Sequence, residues 1–151
     1  MNESIIDILL VEDNPHDVEL TMEALQARKL ANRVKVLRDG EEALHYIFRT
    51  GRYKEQSDAR KNPVLILLDL NLPKVDGVEV LHRIKSDART NTIPVVVLIS
   101  SRSDMDRLKN DGFSANSYIV KPVEVENFIK AVGDVGFYWA VLNKTPRSTV
   151  E

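Results

Sequence analysis

The 151-residue sequence contains no cysteine, few aromatic residues and no long apolar run. Without cysteine, the chain forms no disulfide bond, carries no thiol nucleophile and offers no thiolate ligand for zinc. Its apolar runs fall far short of the ~20 residues that a membrane-spanning helix needs. The formal net charge of −2 favours neither nucleic acid nor an anionic membrane as a partner. The first residues lack the basic and apolar regions of a signal peptide, so we expect a cytoplasmic protein.

The composition that remains is that of one globular domain. Hydrophobic residues make up 43% of the chain and charged residues 29%, as in ordinary globular proteins. A chain of this length builds one full core but not two. We therefore expect a single domain over 1–151, with its core at about 5–135 and a C-terminal helix extension and tail at about 136–151.

Five short apolar segments alternate with five segments of helical periodicity. Strands are predicted at 5–11, 34–37, 64–69, 94–99 and 117–120. This alternation predicts an α/β fold with a doubly wound parallel sheet and helices on both faces. The polar stretch 49–62 is long for a connection, and it predicts either an extra turn of helix or a mobile surface loop.

The third strand organises the rest of the sequence. An unbroken apolar run, Val64 to Leu68, ends on Asp69, and Pro63 and Pro73 limit the strand at its two ends. Such a run predicts a strand that is buried on both faces. Because binding crevices of open α/β sheets lie at the carboxyl ends of the strands, Asp69 is the candidate reactive residue.

Polar side chains follow three other strands at the same predicted edge. They are Glu12-Asp13 after the first strand, Ser100-Ser101 after the fourth and Lys121 after the fifth. Crowded carboxylates repel each other unless a cation joins them, and Mg²⁺ suits a site with one or two carboxylates and room for a phosphoryl oxygen. With a lysine and a nucleophilic carboxylate, such a site is equipped for phosphoryl transfer.

These features together resemble the receiver domains of two-component response regulators, the CheY-like superfamily, from about Ile5 to Val135. The matching residues are Glu12-Asp13, Asp69 in Leu-Leu-Asp-Leu-Asn-Leu-Pro, Gly77, the hydroxyls after the fourth strand, Tyr118 and Lys121-Pro122. The long charged loop, the Asp-Leu-Asn-Leu-Pro-Lys sequence and Phe137-Tyr138-Trp139 are most similar to the small stand-alone regulators that partner bacterial phytochrome kinases.

The resemblance implies a flavodoxin-like strand order, 2-1-3-4-5, and a phosphoacceptor at Asp69. A sensor histidine kinase, which the finer resemblance implies is of the phytochrome type, would supply the phosphoryl group. Asp13 and Asp69 would hold Mg²⁺ with the backbone carbonyl of Asn71, and Glu12 would act largely through water. The protein would then be no enzyme beyond self-catalysed phosphotransfer and autodephosphorylation.

The resemblance also assigns the fifth strand to signalling. Lys121 would pair with Asp69 and then with a phosphoryl oxygen, and Lys121-Pro122 would be a cis peptide. Tyr118 would report the state of the site to the surface formed by helix four, strand five and helix five, and an unknown downstream protein would receive the signal. The C-terminal helix with Phe137-Tyr138-Trp139 either closes the core or forms a homodimer or partner surface.

One residue departs from the family pattern. The family places Thr or Ser five residues after the proline that opens the fourth strand, where this chain has Ile99. Isoleucine donates no hydrogen bond to a phosphoryl group, and Ser100 would replace it only if a bulge shifted the strand end by one residue. We expect phosphorylation to survive and its coupling to Tyr118 to weaken.

Three other functions remain open at this point. A pseudo-receiver that binds partners without phosphate has Ile99 in its favour. A haloacid-dehalogenase-type phosphatase would need a second Asp in its Asp-x-Asp motif, where this chain has Asn71. A flavodoxin-like FMN carrier would need a phosphate-binding loop after the first strand, where Glu12-Asp13 would repel phosphate.

The Ile99→Thr substitution tests the weakened coupling. Restoring the hydroxyl should enlarge the difference in partner affinity between the phosphorylated and unphosphorylated protein, because Thr donates a hydrogen bond to the phosphoryl group. Partner affinity is measured with and without phosphate for both proteins. An unchanged difference would contradict the expectation.

Overall fold

The computed structural model describes residues 8–56, 62–110 and 117–134. Within these ranges, five parallel strands form one sheet in the order β2-β1-β3-β4-β5, as predicted. The strands are β1 Ile8–Val11, β2 Val34–Leu37, β3 Leu65–Asp69, β4 Val95–Ile99 and β5 Ser117–Val120. The α-helices are α1 Pro15–Gln26, α2 Gly40–Phe48, α3 Gly77–Lys85, α4 Arg102–Asn110 and α5 Val125–Asp134.

Some predictions fall outside the described ranges. They concern residues 5–7 of the first strand, Gly112 at the end of α4, and the C-terminal extension from residue 135 onward. Among the residues that are described, no helix has the length and apolar character needed to cross a membrane.

The central strand β3 has the predicted position and burial. Leu65 to Leu68 are fully buried, and Asp69 closes the strand with 3% of its surface exposed. The strand pairs with β1 on one side and with β4 on the other, where Asp69 is opposite Leu98. The unbroken apolar run therefore reflects a strand that is covered on both faces.

The alternation of side chains along the strands divides the core in two. Leu9 and Val11 of β1 pack with the cluster under α2, α3 and α4, whereas Ile8 and Leu10 pack with the cluster under α1 and α5. Successive residues of a strand point to opposite faces. Continuing this alternation places Glu12, Asp69 and Lys121 on the α1 and α5 side of the sheet edge.

The charged stretch 49–62 contains the predicted extra turn of helix. Residues Gly51–Gln56 form a 3-10 helix, which packs on α2 through Tyr53. The Tyr53 ring meets Tyr46 edge-on at 5.0 Å between centroids, and its hydroxyl donates a hydrogen bond of 2.8 Å to Glu42. This part of the stretch is therefore anchored to the core.

The most buried residue of α5 is one that the helical spacing does not single out. The spacing predicts a stripe of Val125, Ile129, Val132, Gly136 and Trp139, of which the last two lie outside the described residues. Val125 and Ile129 are partly buried, and Val125 packs against the core. Phe128 is fully buried and Ala131 nearly so, because Phe128 packs between α1 and the sheet.

Phe128 should be a main source of stability for this half of the core. Phe128→Ala should lower the free energy of unfolding by about 3–5 kcal/mol, because it removes buried surface and leaves a cavity. Glu126→Ala, at an exposed position of the same helix, is the control and should change it by less than about 0.5 kcal/mol. Urea unfolding measures both, and equal losses would contradict the assignment.

Candidate functional site

Three strand ends bring Glu12, Asp69 and Lys121 together, as the sequence predicts. The Lys121 ammonium lies 3.0 Å from Glu12 Oε1 and 3.4 Å from Asp69 Oδ2. All three side chains are at least nine-tenths buried. The site is therefore a buried anionic pair that a single lysine partly neutralises.

The backbone fixes the three side chains at the sheet edge. The Glu12 N–H donates to the Leu37 carbonyl at 3.0 Å, and the Lys121 N–H donates to the Ile99 carbonyl at 2.8 Å. The Lys121-Pro122 peptide is cis, as the resemblance implies. On the other side of Asp69, its Oδ1 accepts a hydrogen bond of 3.3 Å from the Asn71 N–H.

The electrostatics of the site show a shortage of positive charge. Burial and the nearby Asp69 carboxylate raise the pKa of Glu12 to about 7, although Lys121 opposes the shift. Burial by itself would lower the pKa of Lys121, but the hydrogen bond to Asp17 and the charges of Asp69 and Glu12 outweigh it and raise that pKa. A buried carboxylate next to a second carboxylate favours the entry of a further cation.

The donor set fits a divalent cation such as Mg²⁺. In the described part of the chain, no group of three or more acidic or histidine side chains is arranged so that it could hold a metal ion by itself. Mg²⁺ nevertheless needs only one or two carboxylates, since it keeps several waters. Asp69 and Asp13, whose side chain is exposed at the rim, would be such a pair, with Glu12 acting through water.

Gly77 is required by the close approach of α3 to the end of β3. A Cβ at this position would lie 2.2 Å from the Asp69 carbonyl oxygen, far inside van der Waals contact. The Gly77 N–H also donates to the Leu70 carbonyl at 2.9 Å. A side chain here would push the start of α3 away from the segment that carries Asp69.

The Ser100 hydroxyl, which follows β4, forms its hydrogen bond with Asp104 and not with Asp69. Ile99 is buried in the core, and β4 pairs residue for residue with β5 up to Ile99 opposite Val120. The N–H and the hydroxyl of Ser100 each donate to Asp104 Oδ2 at 2.9 Å. The assignment of Ser100 to a phosphoryl group therefore stays a prediction, and its hydroxyl has another partner in this structure.

Asp104 is a buried carboxylate next to the site, and the sequence analysis did not predict it. Burial alone would raise its pKa, but hydrogen bonds from Ser100 and Asn71 and the charge of Arg107 lower it. The Asn71 side chain donates to it at 3.2 Å, which links α4 to the segment after β3. The Ser101-x-x-Asp104 spacing is a capping pattern that offered a signal, since Ser101 Oγ accepts the Asp104 N–H at 3.2 Å.

Asp17 is a second carboxylate that the sequence analysis missed. Its Oδ2 lies 2.9 Å from the Lys121 ammonium, closer than the Asp69 oxygen. Asp17 stands in the first turn of α1, which begins directly after the strand-end residues Glu12-Asp13. The short separation along the chain was the available signal.

The predicted switch residue Tyr118 lies on the edge strand β5. Half of its surface is exposed, and 56% of the surface of its strand neighbour Val120 is exposed as well. Neither residue is part of the buried site. The switching role of Tyr118 and Ile99 stays a prediction.

Comparison with known families identifies this arrangement. Residues 8–133 match the model of the response regulator receiver domain. The chain belongs to the response regulator receiver family. It is a receiver of two-component systems with the CheY-like fold.

The proteins to which this receiver is similar include a bacteriophytochrome response regulator. The bacteriophytochrome response regulator AtBRR has a TM-score of 0.82 and 48% identity, with 93% of this chain and 99% of that chain covered. FilR2, a probable methanogenesis regulatory protein of Methanothrix harundinacea, is 41% identical over 92% of this chain and 86% of its own length. Response regulator Rcp1 of Synechocystis is 37% identical, with 87% of each chain covered.

The Lys121→Met substitution tests the charge balance of the site. It should lower the free energy of unfolding of the metal-free receiver by roughly 3–5 kcal/mol, because Glu12 and Asp69 then stay buried without their cation. Lys74→Met is the matched control, since Lys74 makes only long, exposed ion pairs with Asp39 and Glu41 and should cost less than about 1 kcal/mol. Equal losses in urea unfolding would show that the site carries no such imbalance.

Proposed function

We propose that this receiver accepts a phosphoryl group on Asp69 from a histidine of a sensor kinase, with Mg²⁺ as cofactor. The observation that carries the proposal is the buried Asp69 carboxylate at the end of the central strand, with the Lys121 ammonium 3.4 Å away. A carboxylate and a lysine in this arrangement supply the nucleophile and the counter-charge for phosphoryl transfer.

The transfer follows from the roles of these side chains. A carboxylate oxygen of Asp69 attacks the phosphorus of a phosphohistidine, the P–N bond breaks, and the imidazole leaves with the electron pair and takes a proton. The Asn71 N–H holds Asp69 Oδ1, which orients the carboxylate. Lys121 moves its N–H donors onto a phosphoryl oxygen and neutralises part of its charge.

The metal site would be built by the same strand ends. Asp69, Asp13 and the Asn71 carbonyl would hold Mg²⁺, with Glu12 acting through water. The ion supplies charge neutralisation for the phosphoryl group. Support comes from a Mn²⁺-bound structure of Rcp1, with a TM-score of 0.69 and 35% identity, and from the structure of phosphorylated RcpA, a phytochrome response regulator with a TM-score of 0.70 and 38% identity.

The partner kinase is of the phytochrome type in this proposal. Its support is the likeness to AtBRR and to a second bacteriophytochrome response regulator, RtBRR, with 47% identity and a TM-score of 0.81. The receiver would act in the cytoplasm as a phosphoacceptor and not as a turnover enzyme. It would signal through contacts with a downstream protein, with its C-terminal helix as a homodimer surface.

A phosphate-independent pseudo-receiver is the second candidate function. Its one supporting observation is the fourth strand, where Ile99 has no hydroxyl and Ser100 donates to Asp104. The buried Asp69 and Lys121 favour phosphorylation over this alternative.

Phosphorylation by acetyl phosphate tests the proposed function. Intact mass should show the gain of one phosphate with Mg²⁺ and none with EDTA, because the carboxylate-rich site needs the cation. Asp69→Asn should abolish the gain, and Asp106→Asn, an exposed carboxylate on α4, should leave it unchanged. A wild-type protein that gains no phosphate from either acetyl phosphate or a phosphorylated phytochrome kinase would contradict the proposal.

A further inference from the structure

We infer that Asp17 is a positioning residue that competes with the phosphoryl group for Lys121 and so favours the unphosphorylated receiver. This inference rests on the proposed function. It concerns a carboxylate on α1, outside the set of strand-end residues that the sequence analysis assigned.

The Lys121 ammonium has three N–H donors and faces three carboxylates. Its nitrogen lies 2.9 Å from Asp17 Oδ2 and 3.0 Å from Glu12 Oε1, both within hydrogen-bond distance. Asp69 Oδ2 is more distant, at 3.4 Å. Asp17 therefore holds the lysine more closely than the candidate phosphoacceptor does.

The backbone of Asp17 is held in place by hydrogen bonds at the start of α1. The Asn14 side chain caps α1 by accepting the Asp17 N–H at 3.0 Å, and the Asp17 carbonyl accepts the Thr21 hydroxyl at 2.8 Å. The cap is thus made by Asn14, so the Asp17 side chain is not needed for it. About a quarter of the Asp17 side chain is exposed, which places it at the mouth of the site beside Lys121.

Phosphorylation of Asp69 changes the groups that Lys121 must contact. A phosphoryl oxygen needs at least one N–H of Lys121, and a bound cation provides a new counter-charge for Glu12 and Asp69. Asp17 has no such replacement, so any movement of Lys121 towards the phosphoryl oxygen lengthens its contact with Asp17. The negative charge that Asp17 adds beside the phosphoryl group also disfavours the phosphorylated form.

The test compares Asp17→Asn with Asp17→Glu, which retains the charge. Glu19→Gln, at an exposed position of α1, is the control. Phosphorylation by acetyl phosphate with Mg²⁺ and the half-life of the phosphorylated protein after removal of the donor are measured by intact mass. Asp17→Asn should phosphorylate about two- to fivefold faster and keep its phosphate longer by a similar factor, as expected for a partly exposed ion pair. Asp17→Glu and Glu19→Gln should stay near the wild type.

A metal-free measurement separates positioning from a general effect on structure. A lysine ammonium that is held by carboxylates exchanges its protons slowly with water and gives a side-chain NMR signal. The Lys121 signal should be retained in the wild type and Asp17→Glu and should broaden in Asp17→Asn. Thermal unfolding of the same samples reports any loss of stability.

The outcomes distinguish this inference from the proposed function. If the wild type gains no phosphate, the proposed function fails. A second result is that the wild type is phosphorylated while Asp17→Asn is phosphorylated no faster and keeps its phosphate no longer. That result would overturn the inference that Asp17 competes with the phosphoryl group for Lys121. A change in melting temperature alone, without a change in the phosphorylation kinetics or in the Lys121 signal, overturns it as well.

Discussion

The ammonium of Lys121 is the interaction on which the site depends. It is within hydrogen-bond or ion-pair distance of Glu12, Asp17 and Asp69, and two of these carboxylates are almost completely buried. Removing carboxylates from water is costly unless a cation accompanies them. Lys121 supplies that charge only in part, as the raised pKa of Glu12 shows. The same imbalance limits stability and favours the entry of a further cation at this site.

The position of Lys121 follows from the alternation of side chains along the strands of the sheet. Because β1, β3 and β5 are parallel and their side chains alternate, the residues that follow β1 and β5 and the last residue of β3 share one face of the sheet edge. Gly77 then lets α3 approach Asp69 closely, and Asp104 ties Ser100 and Asn71 to α4. The segment with Asp69 is thus held between the sheet and two helices.

Most of the fold and the centre of the site follow from the sequence. The unbroken run before Asp69 predicts the central strand, and strand ends in a parallel sheet predict the meeting of Glu12, Asp69 and Lys121. Asp17 and Asp104 could not be placed in this way, because their contacts depend on how α1 and α4 are rotated against the sheet edge. The same limit explains why the sequence did not single out Phe128, which is more deeply buried than Val125 or Ile129.

The most direct test of this account is a crystal structure of the protein at saturating Mg²⁺. The account predicts one ion on the Asp69 carboxylate and the Asn71 carbonyl, with Lys121 displaced from Glu12. A structure without an ion at this edge, in which Lys121 still joins Glu12 and Asp69, would contradict it.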